Sequence, residues 1–316
     1  LQSGQLGAVD VTDVMNSEPG GRRLRALFGY EERSALLFLA PVMTVLMGVA
    51  VFPILYSFYL SFFRIKLTRP NRTPFVWFDN YIDLFSNELF WTSVLRTVIF
   101  SVVSVTAIAV IALLVSLLLN QEFRGRRVLS TILLVPWAIP YVANALMWKW
   151  IYDSGYGALN GVLYQLDFID KYMIWLGDQH KTILLIANAF VWKEVPLATI
   201  LLLVSLKSIP ADLYQAARVD GASLWQRFIH VTLPSMKPGF LLVMIYETMM
   251  AIRHFDLFFI LTEGGPGDAS HVLSWHIYVE TFRNLSFGSG AAMSYVLALV
   301  TFALSYTFIR TLGRRI

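Results

Sequence analysis

The sequence predicts an all-α integral membrane protein with six transmembrane helices, and three observations carry that reading. Of 316 residues, 57% are hydrophobic and only 15% charged, too little charge to cover a soluble domain of this size. Six apolar runs, at 35–62, 92–120, 128–152, 182–206, 239–262 and 290–309, each reach the ~20 helical residues that cross a ~30 Å hydrocarbon core. Lysine and arginine fall unevenly about those runs: of 25, fourteen lie on one side, seven on the other and four within. The basic excess marks the inner side, so both termini are expected in the cytoplasm. Absence of cysteine excludes disulfides and thiolate metal sites. Neither G-x-x-x-x-G-K-[ST] nor H-E-x-x-H occurs, which excludes ATP hydrolysis by a P-loop and zinc-peptidase chemistry in this chain.

Taken in order, residues 1–30 are polar, turn at Pro19-Gly20-Gly21 and end in Arg22, Arg23 and Arg25. They read as a poorly ordered cytoplasmic tail with a basic juxtamembrane end. The following apolar run is too long for a signal peptide. Residues 31–316 form the membrane domain. Pro41, Pro53, Pro136, Pro140 and Pro196 fall in or beside spans, where neighbouring helices or cavity water satisfy the freed carbonyls. The external loops, 63–91, 153–181 and 263–289, carry Trp77, Trp91, Tyr156, Trp175 and Trp275, the aromatics of a lipid–water boundary.

One polar stretch interrupts this pattern, at 209–238. Its first half, 211–220, is expected to form a short amphipathic helix with Leu213, Ala216 and Ala217 on one face. Gly221 permits φ > 0, and a second helical piece at 224–232 is expected to stop before Pro234. A helix-turn-helix of this size between spans reads as a docking knob; the competing reading is an interfacial helix lying on lipid.

Gln215-Ala216-Ala217, three residues, Gly221, nine residues and Val231-Thr232-Leu233-Pro234 resemble the EAA loop of binding-protein-dependent ABC importer permeases. Gln215 stands where that family has Glu, and Val231 where it has Ile. The glutamine turns a charge-assisted bond to the ATPase into a neutral one. The run FDLFFILTEGGPG at 255–267 is similar to a signature of carbohydrate permeases of the maltose-transporter class. Leu134-Val135-Pro136-Trp137-Ala138-Ile139-Pro140 and Trp192-Lys193-Glu194-Val195-Pro196 extend the likeness over the membrane domain.

The resemblance implies a type I ABC importer permease fold in a bacterial inner membrane, with a cytoplasmic coupling helix. Tyr214, Gln215, Ala216, Ala217, Asp220 and Gly221 would then meet the ATPase. It also implies a second, similar permease subunit, two copies of a cytoplasmic ATPase that bind the ATP and Mg, an extracytoplasmic solute-binding protein, a sugar substrate and no nucleic acid. No cofactor and no catalytic residue are expected in this chain.

Ionisable side chains inside spans cost ~2.5–3.5 kcal/mol at a helix centre, so each is a functional candidate. They are Arg96, Lys149, Lys193, Glu194, Glu247, Arg253, His254 and Asp256. Arg96 and Lys149 lie near span ends, where they can snorkel. Lys193 has a structural reading, and Arg253 with Asp256 the reading of an i, i+3 pair on one helix. By resemblance, sugar would contact Trp137 and Tyr141; Phe190, Glu194 and Leu197; and Glu247, Met250, Ala251 and Asp256. Aromatic faces stack on pyranose rings and carboxylates accept from hydroxyls, which suits a sugar. These carboxylates disfavour an anionic solute unless Lys193 or Arg253 offsets them. Two other classes compete: an ion-coupled secondary transporter using Glu194, Glu247 and Asp256, and an intramembrane enzyme using Glu247 with His254. The first has no use for a docking loop, and no metal or nucleophile spacing supports the second.

Overall fold

A computed structural model describes residues 30–313, with side chains from 38 to 311. The tail at 1–29 with its arginines, and Arg314 and Arg315, lie outside those residues. The chain divides into two compact units, one through Tyr56 and one from Ser57 onward.

In the N-terminal unit α1 (Tyr30–Leu46) passes through a wide turn at Met47–Val51 into α2 (Phe52–Leu60). The Phe52 N–H reaches back to the Met47 carbonyl there. Pro53, next in line, has no N–H to donate, and a locally widened helix relieves the clash of its ring with the turn before it. The stretch Phe38–Leu60 is long and apolar enough to cross a membrane.

In the second unit α3 (Asp79–Phe85) is tied to the end of the preceding span by Asn80, whose Nδ2 donates to the carbonyls of Ser61 (2.7 Å) and Phe63 (3.0 Å). The longest helix, α4 (Glu88–Asn120), buries a stripe of small and hydroxyl residues including Ser93, Thr97, Ser101, Ser104, Ala112 and Ser116. Small side chains let helix backbones approach closely where lipid supplies no hydrophobic drive. Among the described residues α4 packs most extensively against α9 (Thr182–Lys207).

The expected span at 128–152 is not one straight helix. It consists of α5 (Arg126–Leu133), the single turn α6 (Val135–Ala138) and α7 (Tyr141–Ile151), bent by 96°. Ile139 precedes Pro140 and is extended, at φ −74° and ψ 131°, because a following proline disfavours the helical region. Outside α7, α8 (Ala158–Gln165) is pinned by Asn160, fully buried, which bonds Asp153, Met173 and Trp175.

After α9 the polar loop folds as α10 (Ala211–Val219), α11 (Leu224–Arg227), a wide turn at Phe228–Thr232 and α12 (Leu233–Ser235). The second piece therefore runs through Pro234 rather than stopping before it: proline stands in the first turn of α12, where no N–H is required. Then come α13 (Lys237–Ile252) and α14 (Asp256–Leu261), with a break at 253–255. Finally α15 (Leu273–Tyr278) leads through a wide turn at Val279–Arg283 into α16 (Phe287–Gly313).

Four helices in the described residues are long and apolar enough to cross a membrane. Two bent pairs, Arg126–Ala138 with Tyr141–Ile151 and Leu224–Ser235 with Lys237–Leu261, qualify when each is taken together.

Candidate functional site

Both helix breaks converge on one buried polar cluster. At the first, Lys193 on α9 is 4% exposed, and its Nζ donates to the carbonyls of Trp137 (2.8 Å) and Ile139 (2.6 Å). The bend strips those carbonyls of helical partners, and a cation there also complements the end of α6. The same Nζ lies 4.5 Å from the centre of the Tyr141 ring. Tyr141 donates its hydroxyl to Glu194 Oε1 at 2.6 Å, and Asn144 donates to the Ala189 carbonyl at 3.3 Å, so two bonds stitch α7 to α9.

At the second break, His254 is 6% exposed, and its ring packs edge-to-face on Tyr141 (5.0 Å) and Phe190 (4.9 Å). Its carbonyl accepts from Ser274 Oγ on α15 at 2.6 Å. Two turns earlier on α13, Glu247 is fully buried. Four buried polar atoms have no protein partner among the described residues: Glu194 Oε2, both Glu247 oxygens and His254 Nε2. Leaving such a group unsatisfied costs ~1–3 kcal/mol. A side chain kept in that state is one a transient ligand can satisfy.

The predicted residues fare unequally. Tyr141, Phe190, Glu194 and Glu247 meet in the cluster or beside it. Ala251, expected on the Glu247 face, is buried with it at 1% exposure. Trp137 is 45% exposed and contributes its carbonyl rather than its ring. Leu197, Met250 and Asp256 are half-buried. The expected Arg253–Asp256 pair does not form among the described residues: the break separates the two, and Arg253 Nη2 sits 3.1 Å from Met250 Sδ instead. His254, offered by the sequence as an ionisable candidate but not as a sugar contact, joins the cluster. An apolar groove of about 460 Å³ between α4, α13 and α16, lined by Val98, Val102, Met244, Ile252 and Leu297 among others, contains none of the predicted pathway residues.

In the polar loop, Gly221 adopts φ +74° and lets the Ala222 N–H close on the Ala217 carbonyl (2.9 Å), the αL ending of a helix. Ser223 and Gln226 form a reciprocal capping box. Tyr214 turns inward: its hydroxyl meets Thr232 Oγ1 at 2.9 Å and ties the two arms together. Gln215, Ala216, Asp220 and Gly221 are exposed, and Ala217 is half-buried. Val219, Leu224 and Trp225 form an apolar tip, 86%, 79% and 68% exposed.

On the opposite loop, Gly264 (φ +85°) lies against the Trp275 indole, where a side chain would collide. Ser93 Oγ spends its proton on the Leu89 carbonyl (2.7 Å), so His276 Nδ1, 3.2 Å away, is the donor to it. Burial pushes the His276 imidazole down to about 4 and His271 beside it below its ordinary range, while Asp268 and Glu280 pull His276 the other way.

Broken spans around a buried polar cluster, with a braced polar loop at one end, define a membrane translocation component. The profile of the binding-protein-dependent transport system inner membrane component matches residues 108–315, and the chain belongs to that family. It is 37% identical over 279 residues to the trehalose/maltose transport system permease protein MalF of Thermococcus litoralis, covering 88% of this chain and 92% of the relative. It is 34% identical over 271 residues to the sulfoquinovosyl glycerol transport system permease protein SmoG of Agrobacterium fabrum, 86% of each. In fold it matches a chain of a bacterial ABC transporter importing the acidic polysaccharide alginate, with TM-score 0.77, 21% identity and coverage of 89% and 96%. The chain is thus a multi-pass inner-membrane transport component and not an enzyme; the ion-coupled and intramembrane-enzyme readings fall with that assignment.

Proposed function

We propose that this chain forms half of the path by which a carbohydrate or sugar derivative, delivered by an extracytoplasmic binding protein, enters the cell. The relatives named for trehalose, maltose and sulfoquinovosyl glycerol, matching most of both chains, carry the substrate class. The reading takes each bent helix pair as one span, giving six, with both termini cytoplasmic. A second permease completes the path, and two ATPase subunits hold the ATP and Mg²⁺.

In this reading ATPase closure pushes on α10 through Gln215, Ala216, Ala217, Asp220 and Gly221. Tyr214 acts through Thr232, passing the push to α12 and on to α13. The bundles then rock and alternate access to the central site. Trp137, Tyr141, Phe190, Glu194, Leu197, Glu247, Met250, Ala251 and Asp256 line or support the solute's path. The observation that carries the site is the set of four buried polar atoms without a protein partner among the described residues.

Purification of the tagged chain from its own membranes tests the assembly. An ATPase should co-purify, and its ATP hydrolysis should rise when loaded binding protein is added. A chain that purifies without any ATPase contradicts the reading.

A further inference from the structure

We propose that the first external loop carries a cationic docking point, Lys66, Arg69 and Arg72, for a carboxylate-rich face of the extracytoplasmic binding protein. The proposal deepens the importer reading and rests on the orientation given there.

Residues 63–78 hold four cations, Arg64, Lys66, Arg69 and Arg72, and no aspartate or glutamate. Basic residues beside a span gather on the inner side, so four of them outside run against the tendency that orients the chain. Arg64 is used within the fold, pairing with Asp83 (3.0 Å) and Asp79 (4.0 Å). The other three are exposed and form no ion pair among the described residues.

The chain presents them on a braced hairpin. Phe63 bridges Phe75 antiparallel, and Lys66 bridges Ser286. The Leu67 N–H donates to the Leu285 carbonyl (3.0 Å) and the Phe287 N–H to the Ile65 carbonyl (2.9 Å). These bonds fix the hairpin to the segment that enters α16. Gly288 lies so close to the Phe63 carbonyl that a side chain would collide with it. Phe62, Phe63, Phe75 and Phe78 pack ring against ring at the hairpin's base. Two successive turns shape the tip: the Arg69 N–H reaches the Lys66 carbonyl (2.8 Å) and the Arg72 N–H the Arg69 carbonyl (3.1 Å). Arg69 and Arg72 line a recess of about 270 Å³ there with Pro70 and Asn71. Guanidinium forks take carboxylates in pairs of bonds. Aromatic rings mark the lipid–water boundary, and the three cations follow the aromatic base along the hairpin, which favours a protein carboxylate over a lipid phosphate. Like charges gathered at one rim speed the approach of an acidic partner, and salt screens that gain.

The test uses the complete transporter in phosphatidylcholine nanodiscs, with the binding protein that raises its ATP hydrolysis as the probe. Lys66→Gln, Arg69→Gln and Arg72→Gln are combined in one variant. Association of the loaded binding protein, timed by surface plasmon resonance, should slow about tenfold at ~20 mM salt and less than about twofold at ~500 mM. Arg72→Glu alone should slow it more than Arg72→Gln. Unchanged association, where the parent's ATP hydrolysis is stimulated, overturns the docking point alone. So does slowing by the same factor at both salt concentrations, since a folding defect is blind to salt. If variant and parent differ only in discs that contain anionic phosphatidylglycerol, the cations serve lipid headgroups, which overturns it as well. If no binding protein stimulates the parent, the importer reading falls together with the docking point.

Discussion

The two helix breaks are built alike and finished differently. At 139–140 proline forces the bend, and a buried lysine from α9 takes up the freed carbonyls with two short bonds. At 253–255 no proline or glycine is present. The bond that α15 makes there is from Ser274 to the His254 carbonyl, while the His254 ring and Glu247 keep polar atoms unsatisfied. The first break is a fixed elbow. The second is a joint whose polar groups await a partner, and it is tied through α15 to the opposite loop.

That contrast predicts opposite signs for substitutions one layer apart. Lys193→Met should be the most damaging, stranding two part-buried carbonyls at about 3 kcal/mol in total. The purified protein should lose several degrees of Tm, and an unchanged Tm would show that the elbow does not depend on the lysine. Acid should act on the joint through α15. His276 stays neutral in the folded protein to about 4, below its unfolded value of ~6.5, so its contribution is full above pH 6.5 and is lost as pH falls toward 4. Stability should drop by about 2 kcal/mol between pH 7.5 and 5, and His276→Asn should blunt the drop while keeping a donor for Ser93. Thermal unfolding at both pH values measures it; an equal drop in the variant would place the acid sensitivity elsewhere. Tyr141→Phe removes the bond to Glu194 (2.6 Å) and should cost roughly 1.5 kcal/mol. Ser274→Ala should cost least, about 1 kcal/mol, and should speed hydrogen exchange around 253–255 while leaving 137–141 unchanged. Equal acceleration at both breaks would erase the distinction between them.

The elbow was legible in sequence because its cause is local: Ile139 and Pro140 announce it. The apolar runs were legible for the same reason, their composition declaring them. The joint was not, since Arg253, His254 and Phe255 carry no breaker and the expectation there was one continuous helix with an Arg253–Asp256 pair. Its position depends on packing against α7 and α15, which no local pattern encodes. Tyr141, Phe190, Glu194 and Glu247 could be named beforehand by resemblance and by the cost of burying charge. His254, named as an ionisable candidate and paired with Glu247 in the enzyme reading, was not placed on the solute's path, because an imidazole facing two aromatic rings looks the same in sequence as one in an ordinary core. Tyr214 was expected at the ATPase surface; its bond to Thr232, eighteen residues on, is a tertiary fact.

The central claim is that Glu247 waits for a solute and does little for the fold. Glu247→Leu removes two unsatisfied buried oxygens, so the assembled transporter should keep its subunits and a Tm equal to or above the parent's. Uptake of the sugar carried by the binding protein, measured in proteoliposomes, should be abolished. Transport at the parental rate by that variant would contradict the account.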